Sequence, residues 1–163
     1  MIGKEQLLAS MRHETGVIKH LASKVRPEAL DWRPTPKQRS TRELLAYMTQ
    51  MALSPTLYCL KGNWEHAPGL AKEAERSTPE GFAGAMDRQL ARIEEALADL
   101  DEEAAADRAA ALPWGTPTTQ AAALMDTALK AFVAYRMQLF LYAKQSGSAE
   151  LGSFDCWAGK PPA

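Results

Sequence analysis

Arg39-Ser40-Thr41-Arg42-Glu43-Leu44-Leu45-Ala46-Tyr47-Met48 carries a complete helix start. Ser40 offers a hydroxyl to an orphan amide of the first turn. Glu43, three residues on, reaches back to the Ser40 amide, which makes a capping box. Leu44, Met48, Met51, Pro55 and Tyr58 then recur at helical spacing, so one stripe faces a core. Pro55 has no amide proton and crowds the preceding turn. The reading is a helix that opens at Ser40, kinks or breaks near Leu53, and resumes to about Lys61.

The same period extends to both sides. Leu8, Met11, Thr15, Ile18, Ala22 and Val25 predict a first helix from about Lys4 to Val25, with Pro27 just beyond. Residues 26–36 hold three prolines and read as a loop. Residues 62–78 form a polar connection much longer than ordinary bundle loops, and are read as a crossover. Thr78 as cap and Pro79 at the first helical position predict a third helix with Phe82, Met86, Leu90, Ile93, Leu97 and Leu100 inward. It ends near Leu100, where Asp101 caps a short separate turn. Leu112–Pro117 is a second loop. The fourth helix runs from about Thr118 to Ser146 and stops at Gly147. Leu124, Ala128, Ala131, Tyr135, Gln138 or Leu139, and Tyr142 share one face.

Four amphipathic helices with one long connection between the second and third predict an all-α four-helix bundle. It spans residues 1–163 as a single domain, and the tail 148–163 packs on the bundle end. Composition agrees. The 163 residues include 29 Ala but only 3 Val and 3 Ile, far too few β-branched aliphatics for a sheet protein. The net charge of -1 argues against a nucleic-acid partner. No apolar run approaches the ~20 residues that cross a bilayer, so no membrane partner is expected. The polar Met-Ile-Gly-Lys-Glu-Gln start does not read as a secretory signal. Cys59 and Cys156 form no CxxC pair and lack basic neighbours in sequence, so neither a thiolate metal site nor a nucleophile is expected. The default location is cytoplasmic.

Three segments resemble the DinB-like (YfiT-like) superfamily of four-helix bundles. They are Leu30-Asp31-Trp32-Arg33-Pro34 with the capped helix after it, Leu112-Pro113-Trp114-Gly115, and Tyr135-Arg136-Met137-Gln138-Leu139 with Gly147 beyond. The resemblance implies an up-down-down-up bundle and a homodimer. Many such proteins hold nickel or zinc on three histidines, one on helix two and two spaced four apart on helix four. Some of these are thiol-cofactor-dependent transferases. Here the matching positions are Tyr47, Ala131 and Tyr135. Alanine offers no donor atom and neutral phenols are poor ligands near pH 7. The resemblance therefore implies the fold, while these residues predict no three-histidine metal site and no metal cofactor.

Several readings stay open from the residues alone. Tyr47 and Tyr135 fill the former metal cavity, or line a small-molecule pocket with Ala131, Met51, Gln138 and Trp32, or supply a tyrosine acid. Trp32, Trp64, Trp114 and Trp157 plug the bundle ends, or one or two of them frame a ligand mouth. Lys24, Arg26, Arg33, Lys37, Arg39 and Arg42 oppose only Glu28 and Asp31 at one end. They form a solvated surface, or a rim that favours a small anionic ligand. His13 and His20 share a solvent-side face with Gly16 and Val17, which suits a dimer contact, and His66 is read as exposed. Arg136 is read as an interhelical or surface ion pair. The functional expectation is a metal-free small-molecule-binding or structural protein with a pocket between helices two and four. The alternatives are a metal- or thiol-cofactor-dependent transferase or hydrolase of the same superfamily, and an interaction module that works through a dimer surface.

Overall fold

The structure, a computed structural model, describes residues 3–161. α1 spans Lys4–Ser23, α2 Thr41–Met48, α3 Leu53–Lys61, α4 Ala67–Ala74 and α5 Phe82–Leu97. α6 spans Glu102–Asp107, and next comes a hairpin of β1 (Ala109–Ala111) and β2 (Pro117–Thr119). α7 (Gln120–Ala123) continues through a π-helical stretch, Leu124–Leu129, into α8 (Lys130–Gln145). α9 is Ser153–Ala158. The core is all-α. α1 packs on α8 and α5, and α3 packs on α5 and the π stretch, which closes a ring around one apolar core. No described helix is long and apolar enough to cross a membrane.

The capping box forms as read. Ser40 Oγ accepts from the Glu43 amide at 3.2 Å, and the Ser40 amide donates to Glu43 Oε2 at 2.6 Å. The helix breaks over residues 49–52, ahead of Pro55. Pro55 falls in the first turn of α3, where no intrahelical donor is missing. The amides freed by the break meet Gln89 of α5. Gln89 Oε1 accepts from the Ala52 and Leu53 amides at 2.9 and 3.2 Å, and its Nε2 donates to Met48 O at 2.9 Å. Gln89 is 2% exposed, so water offers no substitute partner.

A second buried contact ties α1 to α8. Arg136 Nη1 donates to Glu14 Oε1 at 2.9 Å, and both side chains are almost fully buried. Of the two expected roles for Arg136, the interhelical ion pair is the one found. Burial pushes the Glu14 carboxyl up, against the pull of Arg136 and His13.

Four expectations change. The crossover contains a helix, α4, with Leu70 and Ala74 buried. The third helix starts at Phe82, because Thr78 Oγ1 accepts from Gly81 and makes a turn rather than a helix cap. The loop around Pro113 is the tip of a hairpin. The tail does not stop at the bundle end. Ser148 Oγ donates to Lys24 O there, then α9 turns back along α1 and α8. Gly159, at φ +63, lies so close that a Cβ would stand 3.1 Å from Val17 Cα. His20 Nε2 donates to Asp155 Oδ1 and His13 Nε2 to Trp157 O, each at 2.8 Å. Of the face expected for a dimer contact, the chain's own tail buries Val17 and partly covers His20, while His13 and Gly16 stay exposed. Pro162 and Ala163, also assigned to the tail, lie outside the described residues.

Replacing Gln89 with Leu keeps the volume and orphans two amides and a carbonyl. We expect a loss of about 2–4 kcal/mol, from roughly 1–3 kcal/mol per unsatisfied group with partial relaxation. Urea denaturation measures it, and a loss below about 0.5 kcal/mol, the range of ordinary surface changes, would contradict the clamp.

Candidate functional site

The Ser40 cap places Tyr47 in the last turn of α2, just ahead of the break. Ala131 and Tyr135 are four apart on α8 and share a side of it. The three positions come together. The Tyr47 and Tyr135 rings stand 5.0 Å apart, tilted by 55°. The Arg39 guanidinium lies 4.0 Å over the Tyr47 ring, on α2's own side of the pair. Burial pushes the Tyr47 phenol up to about 12, and the neighbouring Tyr135 hydroxyl acts in the same direction, outweighing Arg39. Tyr47 is therefore a neutral hydroxyl throughout the physiological range.

The rings do not fill the space. Tyr47, Met51, Ala131 and Tyr135 line a cavity of about 420 Å³, within the usual range for small-molecule pockets. Its outer wall comes from the crossover and the hairpin. Trp64 stacks on Tyr58 at 4.4 Å and is 41% exposed, while Trp114 is 66% exposed at the hairpin tip. These two tryptophans frame the mouth. The floor includes Asp126 and Thr127 of the π stretch. A π turn adds a residue to the ladder and rotates the helix beyond it, a feature frequent at functional sites.

That rotation corrects the fourth-helix stripe. Leu124, Ala128, Leu139 and Tyr142 of that stripe are buried, but in the middle Phe132 and Arg136 take the buried places, while Ala131 and Tyr135 stand at the edge of the core, half-buried and open to the cavity. Gln138 and Trp32, expected as pocket neighbours, belong elsewhere. Gln138 Nε2 donates to Tyr142 Oη, which donates to Arg39 O, and Trp32 packs edge-on against Tyr142 at 5.3 Å. They close the bundle end. Trp157 lies over the Arg136 guanidinium at 4.8 Å.

The basic rim also disperses. Arg33 pairs with Glu43 and Arg42 with Asp31. Arg39 and Arg42 line a neighbouring hollow of about 410 Å³ on the far side of Tyr47. Among the described residues the cavity lining has one cation, Lys130, and it pairs with Asp126. His66 is half-buried rather than exposed, and its Nε2 donates to Ser54 O at 2.8 Å beside the cavity wall. Cys59 and Cys156 are free and buried, and burial pushes both thiols up, which disfavours the thiolate.

The donor set does not fit a divalent metal. The three positions supply two phenols, one held neutral, and a methyl group. Among the described residues no three His, Cys, Asp or Glu side chains gather where they could hold an ion.

No family model matches the sequence, and no curated protein matches it. Among solved structures, the DinB-like protein YjoA from Bacillus subtilis is similar, with a TM-score of 0.66 at 21% identity. The match covers 87% of this chain and 92% of that one. The protein has a DinB-like fold.

Both tyrosines can be tested directly. Because Tyr135 borders open space, Tyr135→Ala should cost only about 1–2 kcal/mol in chemical denaturation, against ~3–5 for a fully packed aromatic. In an alkaline absorbance titration one phenol should ionise near pH 12 and vanish in Tyr47→Phe. Its folded value lies above the ~10 of an unfolded tyrosine. The stability it lends is thus fully present below pH ~10 and is lost as pH rises through about 12.

Proposed function

We propose that the protein is a metal-free binder of a small, largely apolar molecule that carries a hydrogen-bond acceptor. The single observation behind this reading is the open cavity where Tyr47, Ala131 and Tyr135 meet. Apolar walls and two exposed tryptophans would supply contact area, and neutral phenols would supply oriented O–H donors. The paired state of Lys130 supports a neutral ligand here in place of the expected anion. On this reading the ring of helices is an up-down-down-up bundle in which α2 and α3 together form the second member and α7–α8 the fourth. Two free buried thiols suit a reducing, cytoplasmic setting. The homodimer belongs to the same proposal, with its face moved to Val133, Met137 and Leu141. These are exposed and four apart along α8.

Benzamide, a ring with one carbonyl acceptor, serves as the first probe. It should quench tryptophan fluorescence saturably, and Tyr47→Phe should weaken it about tenfold, the worth of one ordinary hydrogen bond. Protein purified without an affinity tag should hold no stoichiometric divalent ion. The combined change Tyr47→His, Ala131→His and Tyr135→His should gain nickel and zinc affinity by titration calorimetry. A tightly bound ion in the natural chain would overturn the metal-free reading, and a folded triple variant with no gain would show that histidines at these three positions do not make a chelating site.

A further inference from the structure

A second hollow, of about 300 Å³, lies on the other side of the helix break, between α4, the turn after it and α5. Its charge is unlike that of the tyrosine cavity. Arg76, Arg88 and Arg92 all line it, against one carboxylate, Glu73. Glu73 is engaged by Arg92 at 3.0 Å. Arg76 and Arg88 make no ion pair among the described residues. Arg88 and Arg92 are one turn apart on α5, so two like charges sit side by side on one helix face, an arrangement that disfavours the helix unless something offsets it. The chain as a whole has a net charge of -1, so this concentration is local.

The uncharged groups Gln89, Thr49 and Thr78 of the hollow are already engaged. Gln89 forms part of the wall, but its carbonyl oxygen already takes two amides of the break. The Thr49 hydroxyl donates to Ala46 O and accepts from Ser77. The Thr78 oxygen accepts from the Gly81 amide, and its hydroxyl donates to the Glu80 carboxylate, helping hold that carboxyl low. What distinguishes the hollow is charge: two guanidiniums without an ion pair among the described residues, beside one carboxylate already engaged by Arg92. Arg88 also lies back over Gly84, where a Cβ would stand 3.4 Å from its Nη1, so it leans toward the Thr78 turn. Guanidiniums from two separate elements suit a tetrahedral oxyanion, whose oxygens accept in several directions at once.

We propose that this hollow binds the phosphate group of a small phosphorylated molecule, at a site separate from the tyrosine cavity. A volume of 300 Å³ exceeds one phosphate and suits a pyrophosphate or a compact organophosphate.

The test is calorimetric titration of the full chain at low ionic strength with sodium pyrophosphate, inorganic phosphate and citrate. Pyrophosphate should saturate one site. Arg76→Gln and Arg88→Gln should each weaken it about tenfold or more, as for a lost charge-assisted bond. Arg12→Gln, a surface arginine already paired with Glu5 and Glu94, and Tyr135→Ala should leave it unchanged. Thermal melts of each variant establish that it is folded. Three results would overturn the proposal: no saturable binding of either phosphate probe, equal weakening by Arg12→Gln, or undiminished binding in a folded Arg76→Gln, Arg88→Gln double variant. Tighter binding of citrate than of pyrophosphate would overturn the phosphate assignment.

Discussion

The carboxamide of Gln89 holds open a break in the second helical stretch, and both hollows depend on that break. An unbroken helix from Ser40 to Lys61 would satisfy its own amides and carbonyls. It would carry one stripe inward and present a closed surface to α4. The chain instead turns at residues 49–52, and three backbone groups that would be orphaned in a dry core all bond one side chain of α5. Thr49 and Gln50 are turned toward the arginine-lined hollow, while Gln50 and Met51 also border the tyrosine cavity. The cost of leaving those groups unpaired is what makes a single glutamine sufficient to maintain so large a departure from regular structure.

The Glu14–Arg136 pair has a different role. Burying both charges is costly, and a well-packed apolar pair could serve stability as well. What the pair adds is register. It sets one height of α8 against α1, and the guanidinium face then receives Trp157, which draws α9 along the flank. His20–Asp155 and His13–Trp157 fasten the same segment. One side of the bundle is thereby closed by the chain's own end. The arginine-lined hollow and the tyrosine cavity lie where α4, and for the cavity also the hairpin, supply outer walls.

Legibility in the sequence tracks the range of the forces involved. The Ser40–Glu43 box and the Pro55 break act within a few residues, so composition and spacing reveal them. Gln89 acts on partners 36 to 41 positions away, and a glutamine on a helix stripe reads as an ordinary surface residue. The π stretch leaves no mark on a 3.6-residue period, because Leu124, Ala128, Ala131 and Tyr135 fit that period well. Only the fold shows that Phe132 and Arg136 are buried where Ala131 and Tyr135 are not. The first strand of the hairpin is three alanines, which have low strand propensity, and the hairpin is closed by Gly115 at φ +91. The convergence of Tyr47, Ala131 and Tyr135 came from resemblance at those positions, and in the folded chain they stand around one cavity.

Phenols at Tyr47 and Tyr135 carry a chemistry opposite to that of the imidazoles the resemblance puts at those positions. A neutral imidazole offers a lone pair to an electrophile, whereas a phenol held neutral by burial offers a proton to an acceptor. Ala131 removes a third donor and leaves room one turn from Tyr135. On the proposed reading, the cleft around Tyr47, Ala131 and Tyr135 takes a carbonyl or ether oxygen. Positive charge is displaced across the break to Arg76, Arg88 and Arg92, some of it unpaired among the described residues. A single helix interruption therefore separates two environments, one apolar with neutral donors and one cationic, and Gln50 borders both.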